Sequence, residues 1–345
     1  MKAALYYSND NIRVVDIPVP KIGPGDVLVK MKACGVCGSD VLEWYRKPRA
    51  PMYFGHEVTG VVVDKGDEVK SFKVGDRVFV HHHVPCFVCH YCQRGSYTMC
   101  PTYHTSFLDP GGFAEFIRVP AINVERGMLR LPSEIPFEEG TLIEPVSCGL
   151  RGLKKSGLQH GDTVLIIGAG FSGIIHIQLA KLLGAGMVIV SDLIDYKLEK
   201  AKEFGADYTV NPEKDDIEKA IRDVNEGRLA DIVVVTPASC IAIKQAINLA
   251  DKGATVYIFG PTSPEESMKL VPHKLFFSEI TLMASYSSYI SETTATLGYI
   301  RRGQINCSGL ITHRFGLDEI GDAIKLTAEA KHSLKVVVVS DKEVT

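Results

Sequence analysis

The pattern of apolar and polar positions along this chain changes period part-way. Up to about Val119, short apolar runs at residues 26–32, 58–63 and 77–81 are separated by turn-forming clusters, Gly23-Pro24-Gly25, Gly66-Asp67 and Gly75-Asp76. That spacing predicts a β-rich region. After a cysteine-rich interruption, residues 111–116 return to strand. From about Gly161 apolar runs alternate with helical stretches: strand 163–167, helix 172–183, strand 187–191, helix 196–204, strand 231–236, helix 240–250 and strand 254–259. Continuous apolar runs suit strands buried on both faces, and the alternation predicts a doubly wound parallel α/β sheet. Beyond Ser287 the pattern predicts helices near 293–302 and 318–330 and a strand at 335–339, a tail expected to pack back on the β-rich region. The expected domains are therefore residues 1–150, with a lobe at about 84–102, then 151–287, then a returning segment 288–345.

Composition narrows the class. The 345 residues carry a formal charge of -3 and are 46% hydrophobic, enough for two buried cores and too apolar for disorder. No basic block stands out, so nucleic acid is not the expected partner. The most apolar stretch, 164–190, contains His176, Gln178, Lys181 and five glycines, which suits strand and helix better than a membrane span. Nine cysteines, an odd number, and an opening segment without an apolar signal core predict reduced thiols and a cytoplasmic location.

Four of the cysteines, Cys86, Cys89, Cys92 and Cys100, fall in C-x2-C-x2-C-x7-C, with Pro85 and Gly95 bending the chain around them. Four thiolates in one lobe predict a closed tetrahedral zinc site that holds a loop and does no chemistry. The plainer alternative is a disulfide pair or a redox C-x-x-C. Further on, Gly168-Ala169-Gly170-Phe171-Ser172-Gly173 follows an apolar strand and opens a helix. Gly168 suits the tight turn, Gly170 a close approach to a pyrophosphate, and Gly173 the packing of helix on strand. Asp192, 19 residues past Gly173, is placed to accept from ribose hydroxyls and to repel a 2′-phosphate, so NAD is expected over NADP. Lys197 either reaches the same ribose or is an ordinary surface lysine, and Asp192 could be a solvated turn residue. His176 is expected to be packed rather than a ligand.

A second metal constellation is made of Cys37 in Cys34-Gly35-Val36-Cys37-Gly38-Ser39-Asp40, His56-Glu57, and Glu144-Pro145. A catalytic zinc needs about three protein ligands and an open position. Cys37, His56 and one carboxylate supply three, although each alone could be a buried thiol, a core histidine or a surface charge.

Taken together these motifs resemble the zinc-dependent alcohol dehydrogenases of the medium-chain dehydrogenase/reductase superfamily, nearest the sorbitol and threonine dehydrogenase-like branch, over nearly the whole chain. The resemblance implies a GroES-like β-rich catalytic domain and a Rossmann domain, with the active site in the cleft between them. It implies that Cys37 and His56 are catalytic zinc ligands and that Glu57 binds the metal or exchanges with water. Glu144 would be a further acidic ligand, and Cys86, Cys89, Cys92 and Cys100 would hold the structural zinc. Lewis-acid chemistry at the open site lets an alcohol lose its proton near neutral pH and pass hydride to the nicotinamide. Ser39 matches the hydroxyl that receives that proton, whereas Asp40 is expected only to orient its surroundings. Many relatives end the relay in a histidine where this chain has Leu42. Either the relay ends in water at the ribose or another group, such as the tract His81-His82-His83, substitutes, but at least two members of that tract are expected to form an exposed polar strand end.

The expected activity is NAD-dependent oxidation of a secondary alcohol or polyol by a homo-oligomer, a tetramer by analogy. The alternatives are an L-threonine 3-dehydrogenase-like enzyme, a zinc-free reductase of the same superfamily, and a zinc-binding, nucleotide-sensing module without enzymatic activity. Trp44, Tyr45, Phe54 and the segment 286–289 are candidate pocket walls, with Trp44 and Phe54 equally suited to the core.

Overall fold

The computed structural model describes residues 1–340. The chain divides into two compact units, one formed by Met1–Ser147 together with the chain from Ser287 onward, the other by Cys148–Tyr286. The expected boundaries lay at 150/151 and 287/288; the observed crossings are at 147/148 and 286/287.

The first unit is built on antiparallel pairing. Val27–Gly35 is its central strand, flanked by Glu57–Lys65 on one side and by Lys335–Val339 from the returning segment on the other. Arg77–His81 adds to Glu57–Lys65, with Glu57 opposite His81. The five residues Lys335–Val339 are all buried, which explains why that run is unbroken Val after a single Lys. Val27, Val29, Met31, Val58, Val62, Val78, Val80, Ile117 and Val338 meet in one apolar core, with Ile320, Ala323 and Ile324 of the helix Ile320–Glu329 laid against it. Phe54 belongs to this core, edge-on to both Tyr6 and Phe113, so it is not a pocket wall.

The second unit is a six-stranded sheet in the order Tyr208–Val210, Met187–Ser191, Thr163–Ile167, Ala230–Val235, Ala250–Ile258, Thr281–Ala284, with every neighbouring pair parallel. All five residues of Thr163–Ile167 are buried, as a strand with helices on both faces requires. Strand order reverses between Thr163–Ile167 and Ala230–Val235, and a doubly wound sheet opens a ligand crevice at the carboxyl ends of such a pair. No helix among the described residues is long and apolar enough to cross a membrane.

Candidate metal centres and dinucleotide turn

The four-cysteine lobe folds by short turns. Its backbone takes a left-handed conformation at Phe87 (φ 63°) and Gly95 (φ 74°). The four sulfurs all lie within 4.8 Å of one another. Backbone N–H groups point at them: Cys89 and Val88 donate to Cys86 Sγ at 3.3 and 3.5 Å, and Cys86 N–H donates to Cys100 Sγ at 3.3 Å. The amides of Val88 and Cys89 pull the Cys86 thiol below its ordinary pKa. Amides aimed at sulfur favour thiolate, the form that binds zinc. No disulfide forms among the described residues, and the donor set fits a tetrahedral zinc.

The second group is Cys37, His56 and Glu57, whose donor atoms also lie within 4.8 Å of one another. The strand Val27–Gly35 ends just before Cys37, and the strand Glu57–Lys65 begins at Glu57. Pairing of these two strands sets Gly35 opposite Glu57 and brings the three side chains together. Glu57 is fully buried, and its Oε1 makes no hydrogen bond. Its Oε2 is ion-paired with buried Lys335, which also donates to the carbonyl of Val36 at 3.0 Å. A buried carboxylate oxygen left unpaired beside a thiol and an imidazole fits a divalent cation. Glu144 is buried but is not part of this group: the structure gathers Cys37, His56 and Glu57 and leaves Glu144 outside.

Asp40 organises the centre. It is fully buried, accepts the N–H of Cys37 at 3.0 Å, pairs with Arg46 at 2.5 Å, and faces His56 Nδ1 at 3.5 Å. Burial alone would raise its pKa, but His56 and Arg46 hold it down to about 2. Burial likewise works against a charged His56, yet Asp40 and Cys37 outweigh it and raise the imidazole well above its ordinary range. With Nδ1 directed at a carboxylate, Nε2 is the nitrogen left for a metal. Arg46 also grips Ser39, donating to its carbonyl at 3.0 Å and to its hydroxyl at 3.3 Å.

The histidine tract departs from expectation. His81 and His83 are buried and His82 is half-buried, so no exposed polar strand end exists here. The strand stops at His81, and the Asn123 amide then holds the carbonyls of His81 and His82 at 3.1 and 3.0 Å. The alternation of faces that applies within a strand therefore does not govern His82 and His83. The His82 ring lies 4.7 Å from that of His56, and its Nδ1 is buried without a partner.

At the dinucleotide turn, Gly168 has φ +93°, and a Cβ there would sit 2.4 Å from Thr236 Oγ1. A Cβ on Gly173 would meet the Gly168 carbonyl oxygen at 1.9 Å, so helix and turn approach as closely as glycine allows. Around Gly170 nothing lies within 4 Å of that position, which leaves room for a phosphate. The helix Phe171–Leu182 starts without a side-chain cap, as an anion-binding helix start does. Asp192 is no solvated turn residue: its oxygens accept the amides of Ala169 at 2.7 Å and Ile194 at 2.9 Å. Lys197 is buried on the helix Asp195–Glu203, not an ordinary surface lysine. His176 is fully buried, donates from Nδ1 to the Ser172 carbonyl at 2.6 Å, and packs on Tyr257 and Phe259.

The family described as alcohol dehydrogenase GroES-like domain matches residues 23–131, and zinc-binding dehydrogenase matches residues 173–300. The chain is 31% identical to sorbitol dehydrogenase of Bacillus subtilis (strain 168), covering 98% of this chain and 97% of that one. It is 34% identical to L-threonine 3-dehydrogenase of Pyrococcus abyssi, covering 92% of each. A zinc-binding dehydrogenase from Sinorhizobium meliloti, solved bound to NADP, superposes with a TM-score of 0.88 at 32% identity over 98% of both chains.

Proposed function

Because this chain belongs to the zinc-dependent alcohol dehydrogenase family of medium-chain dehydrogenases/reductases, we propose that it oxidises a secondary alcohol or polyol to the ketone with NAD. The observation that carries the reading is the convergence of Cys37, His56 and Glu57, with one carboxylate oxygen lacking a hydrogen bond. When bound, zinc supplies Lewis-acid polarisation at the alcohol oxygen and NAD supplies the hydride acceptor.

The chain's own residues do the rest. Asp40 fixes the His56 ring and caps the turn that presents Cys37. Glu57 shares its charge between the metal site and Lys335. Glu144 is the second carboxylate, held in reserve. Ser39, kept in place by Arg46, takes the substrate proton. Leu42 cannot pass that proton on, and burial together with His83 and His56 holds the His82 ring well below its ordinary pKa, so the relay ends in water at the ribose. In the other unit, Gly168, Gly170 and Gly173 shape the pyrophosphate turn. The Asp192 carboxylate has lone pairs left for the ribose hydroxyls and disfavours a 2′-phosphate, so NAD is the cofactor. The buried Lys197 ammonium adds positive charge to the same region. Cys86, Cys89, Cys92 and Cys100 hold a structural zinc.

The threonine dehydrogenase reading uses the same chemistry with a different pocket. It is kept open by the 34% identity to the Pyrococcus enzyme. The enzyme is a cytoplasmic homotetramer in this reading, by analogy with its family. The test is the rate of NADH formation across polyols, secondary alcohols and L-threonine, with and without a zinc chelator. Chelator-sensitive NADH formation with a polyol or secondary alcohol is expected. Turnover of L-threonine alone would move the assignment to the second reading, and no NADH with any substrate would reject both.

A further inference from the structure

A chain of buried hydrogen bonds links the histidine tract to the helix that carries Glu144, and the reaction outlined above leaves it without a role. Its direction can be worked out proton by proton. The backbone N–H of His83 donates to His81 Nδ1 at 3.2 Å, so in the neutral ring the proton sits on Nε2. Nε2 is 3.2 Å from Ser288 Oγ and therefore donates to it. The Ser147 hydroxyl donates to the Glu144 carbonyl at 2.6 Å. That spends the only hydroxyl proton of Ser147, so in the 2.6 Å contact between the two serines Ser288 donates and Ser147 accepts. Ser147 and Ser288 are fully buried, and His81 is 1% exposed. The backbone of Ser288 is held as well: its carbonyl accepts the Tyr103 hydroxyl at 2.6 Å, and Tyr103 lies three residues beyond Cys100.

The two ends of this chain are informative. His81 sits opposite Glu57 in the paired strands. The far end is the carbonyl of Glu144 itself. One hydroxyl, supplied by the returning segment some 140 residues beyond Glu144, thus stands between the element bearing Glu57 and the element bearing Glu144, the two carboxylates that the proposed function assigns to the metal.

We propose that Ser288 is a positioning residue of the catalytic metal centre: its hydroxyl ties the strand end at His81, paired with Glu57, to the helix start at Glu144. The proposal rests on the reading of Cys37, His56 and Glu57 as zinc ligands. It does not follow from stability alone. Removing both partners of a buried hydroxyl pair can be nearly neutral, whereas removing one leaves its neighbours unsatisfied.

The test measures zinc release from the holoenzyme to a chromogenic chelator, together with kcat and KM. Ser288→Ala should release the catalytic zinc roughly tenfold faster and lower kcat by a similar factor with little change in KM, the order of effect seen when partners behind metal ligands are removed. Release of the four-cysteine zinc should stay at the wild-type rate. Ser147→Ala should behave alike, and the double variant should be no worse than either single one, because both break one chain. Ser288→Thr, which keeps the hydroxyl, should restore slow release. Wild-type zinc release in both Ser288→Ala and Ser147→Ala overturns the proposal, even if their melting temperatures fall. So do additive effects in the double variant. A Cys37→Ser control separates the two levels: it must lose one of two zincs, and retention of both would remove the underlying reading and this proposal with it.

Discussion

His56 sits beside Asp40 and Cys37, and their combined pull outweighs the burial that would otherwise discharge it. That is the electrostatic setting of an imidazole prepared to be a metal ligand from its far nitrogen. Asp40→Asn should therefore lower kcat/KM by about 10–100-fold with unchanged NAD affinity, as removal of a carboxylate behind a ligating histidine does; steady-state kinetics and cofactor titration check it. Cys37→Ser should abolish turnover, by about a hundredfold or more, while cofactor binding persists. Turnover near wild type would refute the assignment of Cys37. At this scale the sequence was legible where chemistry fixes spacing: Cys37, His56 and Glu57 could be picked out because few other uses explain them together. It was not legible where partners are far apart in the chain. Nothing near Glu57 announces Lys335, and nothing near His81 announces Ser288, 207 residues away. The histidine tract misled because its surroundings come from later in the chain, Ser106 from a loop and Asn123 from the helix Ala121–Gly127.

Elements explain why the glycine turn and the cysteine lobe were readable in advance. Each is a local device whose residues act within a few positions of one another, and the parallel strands around the turn are continuous apolar runs that carry their own signal. Strands 77–81, 163–167, 187–191 and 335–339 have the same limits in sequence and structure, whereas Asn11–Asp16, with no fully buried residue, and Thr281–Ala284, at a sheet edge, were not picked out. Asp192 holds the Ala169 amide at the turn, and in the proposed reading it also excludes a 2′-phosphate. Asp192→Ala should shift the NAD/NADP preference ratio by about tenfold or more, about 1.4 kcal/mol, read from kcat/KM with each cofactor. An unchanged ratio would sink that role. In the lobe, Cys89→Ser should lower the melting temperature and remove one zinc per chain, measured by calorimetry and metal analysis, since a structural zinc is part of the folding free energy.

The whole molecule carries several histidines buried in neutral form, and these set its acid limit. Burial depresses His176 from the ordinary 6.5 to about 4, and His81 and His83 to about 3. Below pH about 6.5 the unfolded chain binds protons that the folded chain refuses, so stability falls as pH drops from there toward 4. The melting temperature should therefore decline over that window, and His176→Gln should flatten the slope; a slope unchanged by the substitution would show that His176 contributes nothing to it. The returning segment supplies Lys335 beside Glu57 and Ser288 beside Ser147, so the proposed metal centre of the first unit draws on residues from both ends of the chain. The most direct measurement is anomalous X-ray scattering at the zinc edge from crystals of the protein with NAD. Two peaks are predicted per chain, one enclosed by Cys86, Cys89, Cys92 and Cys100, the other bonded to Cys37, His56 and one of Glu57 or Glu144. A single peak in the cysteine lobe, with Cys37 and His56 ligating nothing even in excess zinc, would contradict the account.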